Sequence, residues 1–292
     1  MENFILLIVS GLTNGSVYGL IGLSLSLIYV SSRVINFAQG EFVMLGALLT
    51  LMFITTLALP APMAILFVLL VSLVVGLALE RLVYAPLVRR ADPLTVIIGT
   101  FAGSVILAGA ALVIWGPEQQ SIPNIFSITP VELGLLITTP QQCAIIASFL
   151  SFVILTWWIL YKTNFGLTVR AVGVNVNVSQ LMGIRASRVV RFSFLFSAFV
   201  SATAGLLVGP LLGGQASMGG LLTVKGFMAA ILGGLGSPFA AAAGGMLIGI
   251  LEALVSGYGN SLYAEPIIFG AILVVLLIRP YGLLGDFEAV QR

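Results

Sequence analysis

Residues 62–79 and 143–161 carry no charged side chain, and apolar runs of 18 or more residues recur along the whole chain. A helix needs ~20 such residues to cross ~30 Å of hydrocarbon, so runs of this length are built to span a bilayer. They are continuously apolar, whereas a membrane barrel shows ~10-residue segments of alternating polarity. Only 8% of residues are charged, against ~25% in a soluble domain, and mean hydropathy is +1.18. The expected fold is therefore all-α, a polytopic helical membrane protein. It should have about eight transmembrane helices plus a re-entrant half-helix, in a single domain over residues 1–292.

The same composition excludes several functions. A net charge of +2, with basic residues clustered near helix ends, gives no footprint for nucleic acid. There is no histidine, and the lone Cys143 begins an apolar run, so neither a transition-metal site nor a disulfide is expected and Cys143 reads as a small core residue. No HExxH or GxSxG motif is present, so no catalytic residue is assigned. The first apolar segment lacks a basic start and contains Asn14, which reads as a retained span and not a signal peptide.

Along the chain, a first span over about residues 4–30 places Gly11, Gly15 and Gly19 on one face, a spacing suited to close helix packing in lipid. Residues 31–50 then bring Arg33, Asn36, Gln39 and Glu41 to the start of an apolar run, with Gly40 expected to loosen the helix. Polar groups at membrane depth are costly and face protein or water. Two readings stand: a discontinuous helix beside a translocation path, or a solvated turn between spans. A third span, about 62–82, ends in a segment where Arg81, Arg89 and Arg90 outnumber Glu80 and Asp92, which marks that side as cytoplasmic. A fourth span over about 94–115 leads to residues 116–140, which hold Glu118 and Glu132 but no Lys or Arg and so should be external.

A fifth span over 143–161 returns to the inside, and a sixth over about 192–212 leads out to Gly213, Gly214, Gly219 and Gly220, expected to form a mobile external link. Lys225 follows as an external exception to the charge rule. The apolar part before GGLGSP is too short to cross, so a half-helix is expected to turn at Gly233, Gly234, Gly236, Ser237 and Pro238 and return as a longer helix. On it, Gly245 and Gly249 form another close-packing face, and Glu252 is either satisfied by neighbours or lines a path. A last span over about 265–278 gives an N-terminus outside and a C-terminus inside.

The longest polar stretch, residues 162–191, carries Lys162, Arg170, Arg185, Arg188 and Arg191 and no acid. Gly166 and Gly173 read as breaks flanking a turn of interfacial helix. A second short helix begins near Asn175 or Asn177, whose side chains suit an N-cap, and stops at Gly183. Val178, Leu181 and Met182, at i, i+3 and i+4, give it a small apolar face that needs a partner. Ser187 suits the cap of the next span. The arginines by themselves read as topology markers.

Three segments carry a resemblance: GLSLSLIYVSSRVINFAQGEFVMLGA at 22–47, RAVGVNVNVSQLMGIRASRVV at 170–190, and KGFMAAILGGLGSPFAAAAGGMLIGILE at 225–252. Across nearly its whole length the chain resembles the permease subunits of branched-chain amino-acid ABC transporters, the LivH type. The resemblance implies a non-catalytic subunit of an ATP-driven importer in the bacterial inner membrane. It implies a second related permease, two cytosolic ATPases that carry ATP and Mg, and a periplasmic or extracellular binding protein, all around a lipid-embedded core. It places Asn177, Val178, Leu181, Met182, Gly183 and Ile184 in an ATPase-docking segment, and Asn36, Gln39 and Glu41 in the core around the path. Gly233, Gly234, Gly236, Ser237 and Glu252 join the candidate pathway. Relatives sharing these motifs serve urea, short amides and aromatic acids, and an ion-coupled secondary transporter is the rival from another class.

Overall fold

The computed structural model describes residues 2–88, 92–126, 131–133, 136–259 and 261–285. Arg89 and Arg90, Pro130 and the charged tail 286–292 lie outside the described residues. Helices α1 (Glu2–Ser32), α2 (Gln39–Leu51), α3 (Ala61–Leu79), α4 (Ala85–Val88), α5 (Pro93–Trp115) and α6 (Pro140–Lys162) make up the first half. The second half holds α7 (Asn164–Val174), α8 (Val176–Leu181), α9 (Ala186–Leu212), α10 (Met218–Gly233), α11 (Pro238–Tyr258) and α12 (Ala264–Ile278). A two-stranded antiparallel hairpin, β1 (Val131–Leu133) with β2 (Leu136–Thr138), decorates the loop before α6.

Among the described residues, seven helical segments are long and apolar enough to span a membrane, counting α2 with its following π turn and α3 through α4 as one each. Two shorter apolar helices, α10 with 16 residues and α12 with 15, complete the set. Taking α12 as a crossing gives eight spans plus the short α10, the architecture expected from the sequence. The turn after α10 falls at Gly234–Ser237, where the Ser237 side chain caps α11 and Pro238 takes the first helical position.

The centre of the fold is α1, whose Leu20, Ile21, Leu23 and Leu25 are fully buried on every side. An all-round apolar helix can be satisfied in the interior. One face of α1 meets α11 through glycines: a Cβ on Gly249 would sit 2.2 Å from Gly15 Cα, and one on Gly245 2.2 Å from Gly19 N. The two glycine rows read from sequence thus belong to one seam. Around this centre, α3, α5, α6 and α12 present exposed apolar residues such as Val74, Ile106, Val113, Ile154 and Leu277, as a lipid-facing layer does.

Several local expectations need correction. The third span does not end near residue 82: the helix continues through a π turn, Glu80–Tyr84, into α4, and Glu80 is buried against Arg191 at 3.1 Å. The link after α9 is tied down, because Gly214 and Gln120 exchange backbone hydrogen bonds of 2.8 Å, and Gly219 and Gly220 already lie in α10. Gly166 and Gly173 do not break the segment 162–191. The break is at Thr163, whose side chain accepts from Gly166 N, and α7 runs through both glycines because they let its backbone pack on α6 and on Val30. Asn175, and not Asn177, is the N-cap of α8. Ser187 sits inside α9, which starts after Arg185 without a side-chain cap.

Candidate functional site

The candidate residues fall in three places among the described residues. The first is the break between α1 and α2. After Ser32 the chain turns at Arg33, which has φ 56° and donates to the Gly173 carbonyl. It then runs irregularly to Gln39. Asn36, Gln39 and Glu41 are each 0–1% exposed, which settles against a solvated turn. Asn36 Oδ1 accepts from Ala38 N at 3.1 Å, and its Nδ2 donates to Gln39 Oε1 at 3.3 Å. Gln39 Nε2 donates to Ser197 O at 3.1 Å and to Ser201 Oγ at 2.7 Å on α9. Ser104 Oγ on α5 donates to Glu41 Oε1 at 2.8 Å, while Glu41 Oε2 has no protein partner.

Freed backbone groups there are satisfied in the same way. Phe37 N donates to Thr100 Oγ1 at 3.2 Å, and Gly40 N to Thr223 Oγ1 at 2.9 Å. Irregular backbone at membrane depth persists only where protein or a cavity supplies such partners. Ser197 stands eleven residues into α9, about 16 Å from its start, so the break lies near mid-span. Gly40 does not loosen α2. It is pressed against α10, where a Cβ would fall 2.1 Å from Gly219 O and 2.5 Å from Thr223 N.

The second constellation centres on Glu252. Lys225, expected in an external loop, stands seven residues inside α10, about 10 Å from its start, and donates to Glu252 Oε1 at 2.6 Å. Lys225 Nζ also reaches Tyr18 Oη at 3.1 Å and lies 3.8 Å from Glu265 on α12. Glu252 is thus satisfied on one oxygen, while Oε2 has no partner. Thr223 and Lys225 are two residues apart, roughly 200° around the helix, so α10 presents one to α2 and the other to α11 and α12. The pathway candidates therefore fall on separate sides of α10 and do not form one cluster. Gly233, Gly234, Gly236 and Ser237 occupy the α10–α11 turn, ten residues and about 15 Å along α10 from Thr223. There Leu283 N and Leu284 N donate to Leu232 O and Gly233 O, which ties the segment after α12 onto the turn.

The third is the short helix α8. Asn175 Oδ1 accepts from Val178 N at 3.1 Å to open it, and Gly183 closes it with φ +83°, a conformation natural to glycine. Of the residues singled out here, Val178, Leu181 and Met182 are exposed at 54%, 87% and 78%. Ile184 instead is partly buried and packs against the apolar cluster that contains Val169, Val172 and Val189, so it anchors the loop and leaves the other three outside.

Sequence reasoning passed over Ser104, Ser197, Ser201 and Thr223, since single hydroxyls in apolar helices give no local signal. It saw Lys225 and Glu265 without pairing them with Glu252. A lysine a few residues past Gly219 and Gly220 in an apolar run was the available clue.

The permease LivH of Escherichia coli (strain K12), from a high-affinity branched-chain amino acid transport system, is 31% identical over 293 residues, covering 96% of this chain and 94% of that one. BraD of Pseudomonas aeruginosa, from a system of the same description, is 31% identical over 296 residues, with coverage of 96% and 95%. LsrD, an autoinducer 2 import permease of Salmonella paratyphi B, is 25% identical over 271 residues, covering 89% and 79%. Residues 7–277 match the family described as branched-chain amino acid transport system / permease component, and the chain belongs to that family.

Proposed function

We propose that this chain, paired with a second related permease, forms the translocation path of an ATP-driven importer of branched-chain or other hydrophobic amino acids. Two cytosolic ATPases drive it, and an external binding protein delivers substrate. The observation that carries the coupling role is α8. Its Val178, Leu181 and Met182 form an apolar face left open to the aqueous side by a helix capped at both ends. Such a face is complementary to a groove on a partner and wasted in water. Asn177 and Gly183 flank it. The basic residues of 162–191 support a cytoplasmic location for this end at a bacterial inner membrane, with the N-terminus outside. The chain has no GxxxxGK[ST] phosphate loop, so ATP and Mg belong on the partners.

The buried set Asn36, Gln39 and Glu41 forms the rigid core beside the path. The α10–α11 turn at Gly233, Gly234, Gly236 and Ser237, together with Glu252, borders it. Replacing both α8 side chains, L181E/M182E, tests the reading: the ATPase subunits should no longer co-purify with the permease. Unchanged recovery would sink it. One relative named for autoinducer 2 import shows how far solutes vary among similar permeases, and urea, short amides or aromatic acids are the alternative cargo. The rival from another class, an ion-coupled secondary transporter, would need ionisable groups deep in the spans, and Glu41 and Glu252 are its candidates. Uptake by the single chain that follows an ion gradient without ATP would establish that rival.

A further inference from the structure

Lys225, Glu252 and Glu265 edge an open cleft between α10, α11 and α12. The rest of its wall is apolar, with Val224, Met228, Ile248, Ile268 and Phe269 among the residues facing it. The groove widens below into a second apolar trough that shares Val224, Met228 and Phe269 and continues to Ile272 and Leu276. Charge is thus confined to one end of an otherwise greasy channel.

That charge is unbalanced. One lysine faces two carboxylates, a local sum of −1, and among the described residues no other charged side chain lines the cleft. The Lys225–Glu252 pair lies about 10 Å inside the helix end, where a charged group is costly and marks a functional site. Glu265 remains open, at 61% exposure, and its 3.8 Å separation from Lys225 is too long for a hydrogen bond. A guest ammonium would pair locally with Glu265, which Lys225 does not reach within hydrogen-bond distance, and with the neighbouring Glu252. A carboxylate on the same guest would find Lys225, and an aliphatic tail would rest on Val224, Met228, Ile268 and Phe269.

We infer that this cleft is a transient subsite for a zwitterionic aliphatic amino acid, with Glu252 and Glu265 taking the α-ammonium, Lys225 the α-carboxylate, and the apolar trough the side chain. The inference rests on the amino-acid reading of the transporter above. Anionic lipid is disfavoured by the local charge, and a headgroup would have to sink about 10 Å to reach Lys225.

The test is ATP-driven uptake of radiolabelled leucine, at saturating concentration, into proteoliposomes that hold the whole transport complex. K225M/E252M removes both charges while keeping side-chain bulk. A pair that serves only to hold α10 to α11 tolerates such a replacement. E265Q removes an exposed charge and leaves the fold's interior untouched. Uptake should fall about tenfold or more in the double variant, which loses two charge-assisted contacts and so at least the scale of one, and several-fold in E265Q. Binding-protein-stimulated ATP hydrolysis should persist in both, which shows that the complex is assembled. Leucine uptake within twofold of wild type in either variant overturns the subsite and leaves the cleft to lipid or to the second permease, with the amino-acid reading intact. If the wild-type complex moves urea or acetamide and no leucine, the amino-acid reading fails and the subsite with it.

Discussion

Replacing Gly249 by alanine puts a methyl group into the seam on which α1 and α11 meet. The new Cβ would lie 2.2 Å from both Cα and N of Gly15 and 2.6 Å from the carbonyl oxygen of Gly11. Carbon atoms settle at about 3.5–4.0 Å, so the helices must part by about 1.3–1.8 Å at that point. No flexible side chain can give way, because the obstructing atoms are backbone. Overpacking of this kind costs about 1–3 kcal/mol. In lipid the loss is not cushioned by the hydrophobic effect, since helix association depends on the close contact itself. Titrating the protein in mixed micelles with SDS, with helix content as the signal, gives the free-energy change. Gly270 on α12, where an added Cβ meets nothing within 4 Å, is the control: G270A should be neutral or slightly stabilising. A G249A protein as stable as wild type, or a G270A protein as unstable as G249A, would refute the seam as a determinant of the fold.

Other perturbations have equally definite outcomes. Q39A strands the Ser201 hydroxyl and the Ser197 carbonyl in a fully buried site, so it should cost about 1–3 kcal/mol in the same titration. E41Q keeps an acceptor for Ser104 and should be far milder than E41A. R191A leaves the buried Glu80 carboxylate without its cation and should destabilise more than the double variant E80Q/R191A, which removes the charge as well. G183A forces a side chain into left-handed backbone at about 1–2 kcal/mol. Amide exchange over Val176–Leu181 should quicken, and more than in G183N.

The spans were legible because a bilayer makes secondary structure a local matter. Each crossing helix must satisfy its own backbone and show apolar groups to lipid, so residues 62–79 or 143–161 declare themselves without reference to any other part of the chain. Helix ends were nearly as legible where a single residue decides them, as Gly183 does for α8. They were misread where a glycine serves a neighbour. Gly166 and Gly173 look like breaks in isolation, yet in the fold they are the places where α7 touches α6 and Val30.

The sequence by itself determined that this chain is a bundle of membrane helices, that α8 stands apart from them with an apolar face, and that polar side chains sit where lipid cannot tolerate them. Only the tertiary structure decided who answers those polar groups. Gln39 is met by Ser197 and Ser201, Glu80 by Arg191, and Lys225 by Tyr18 and Glu252. Most of these partners are more than a hundred residues apart. Burial makes each partner obligatory without naming it, and the packing of α1 on α11, and of α2 on α9 and α10, is what makes the choice.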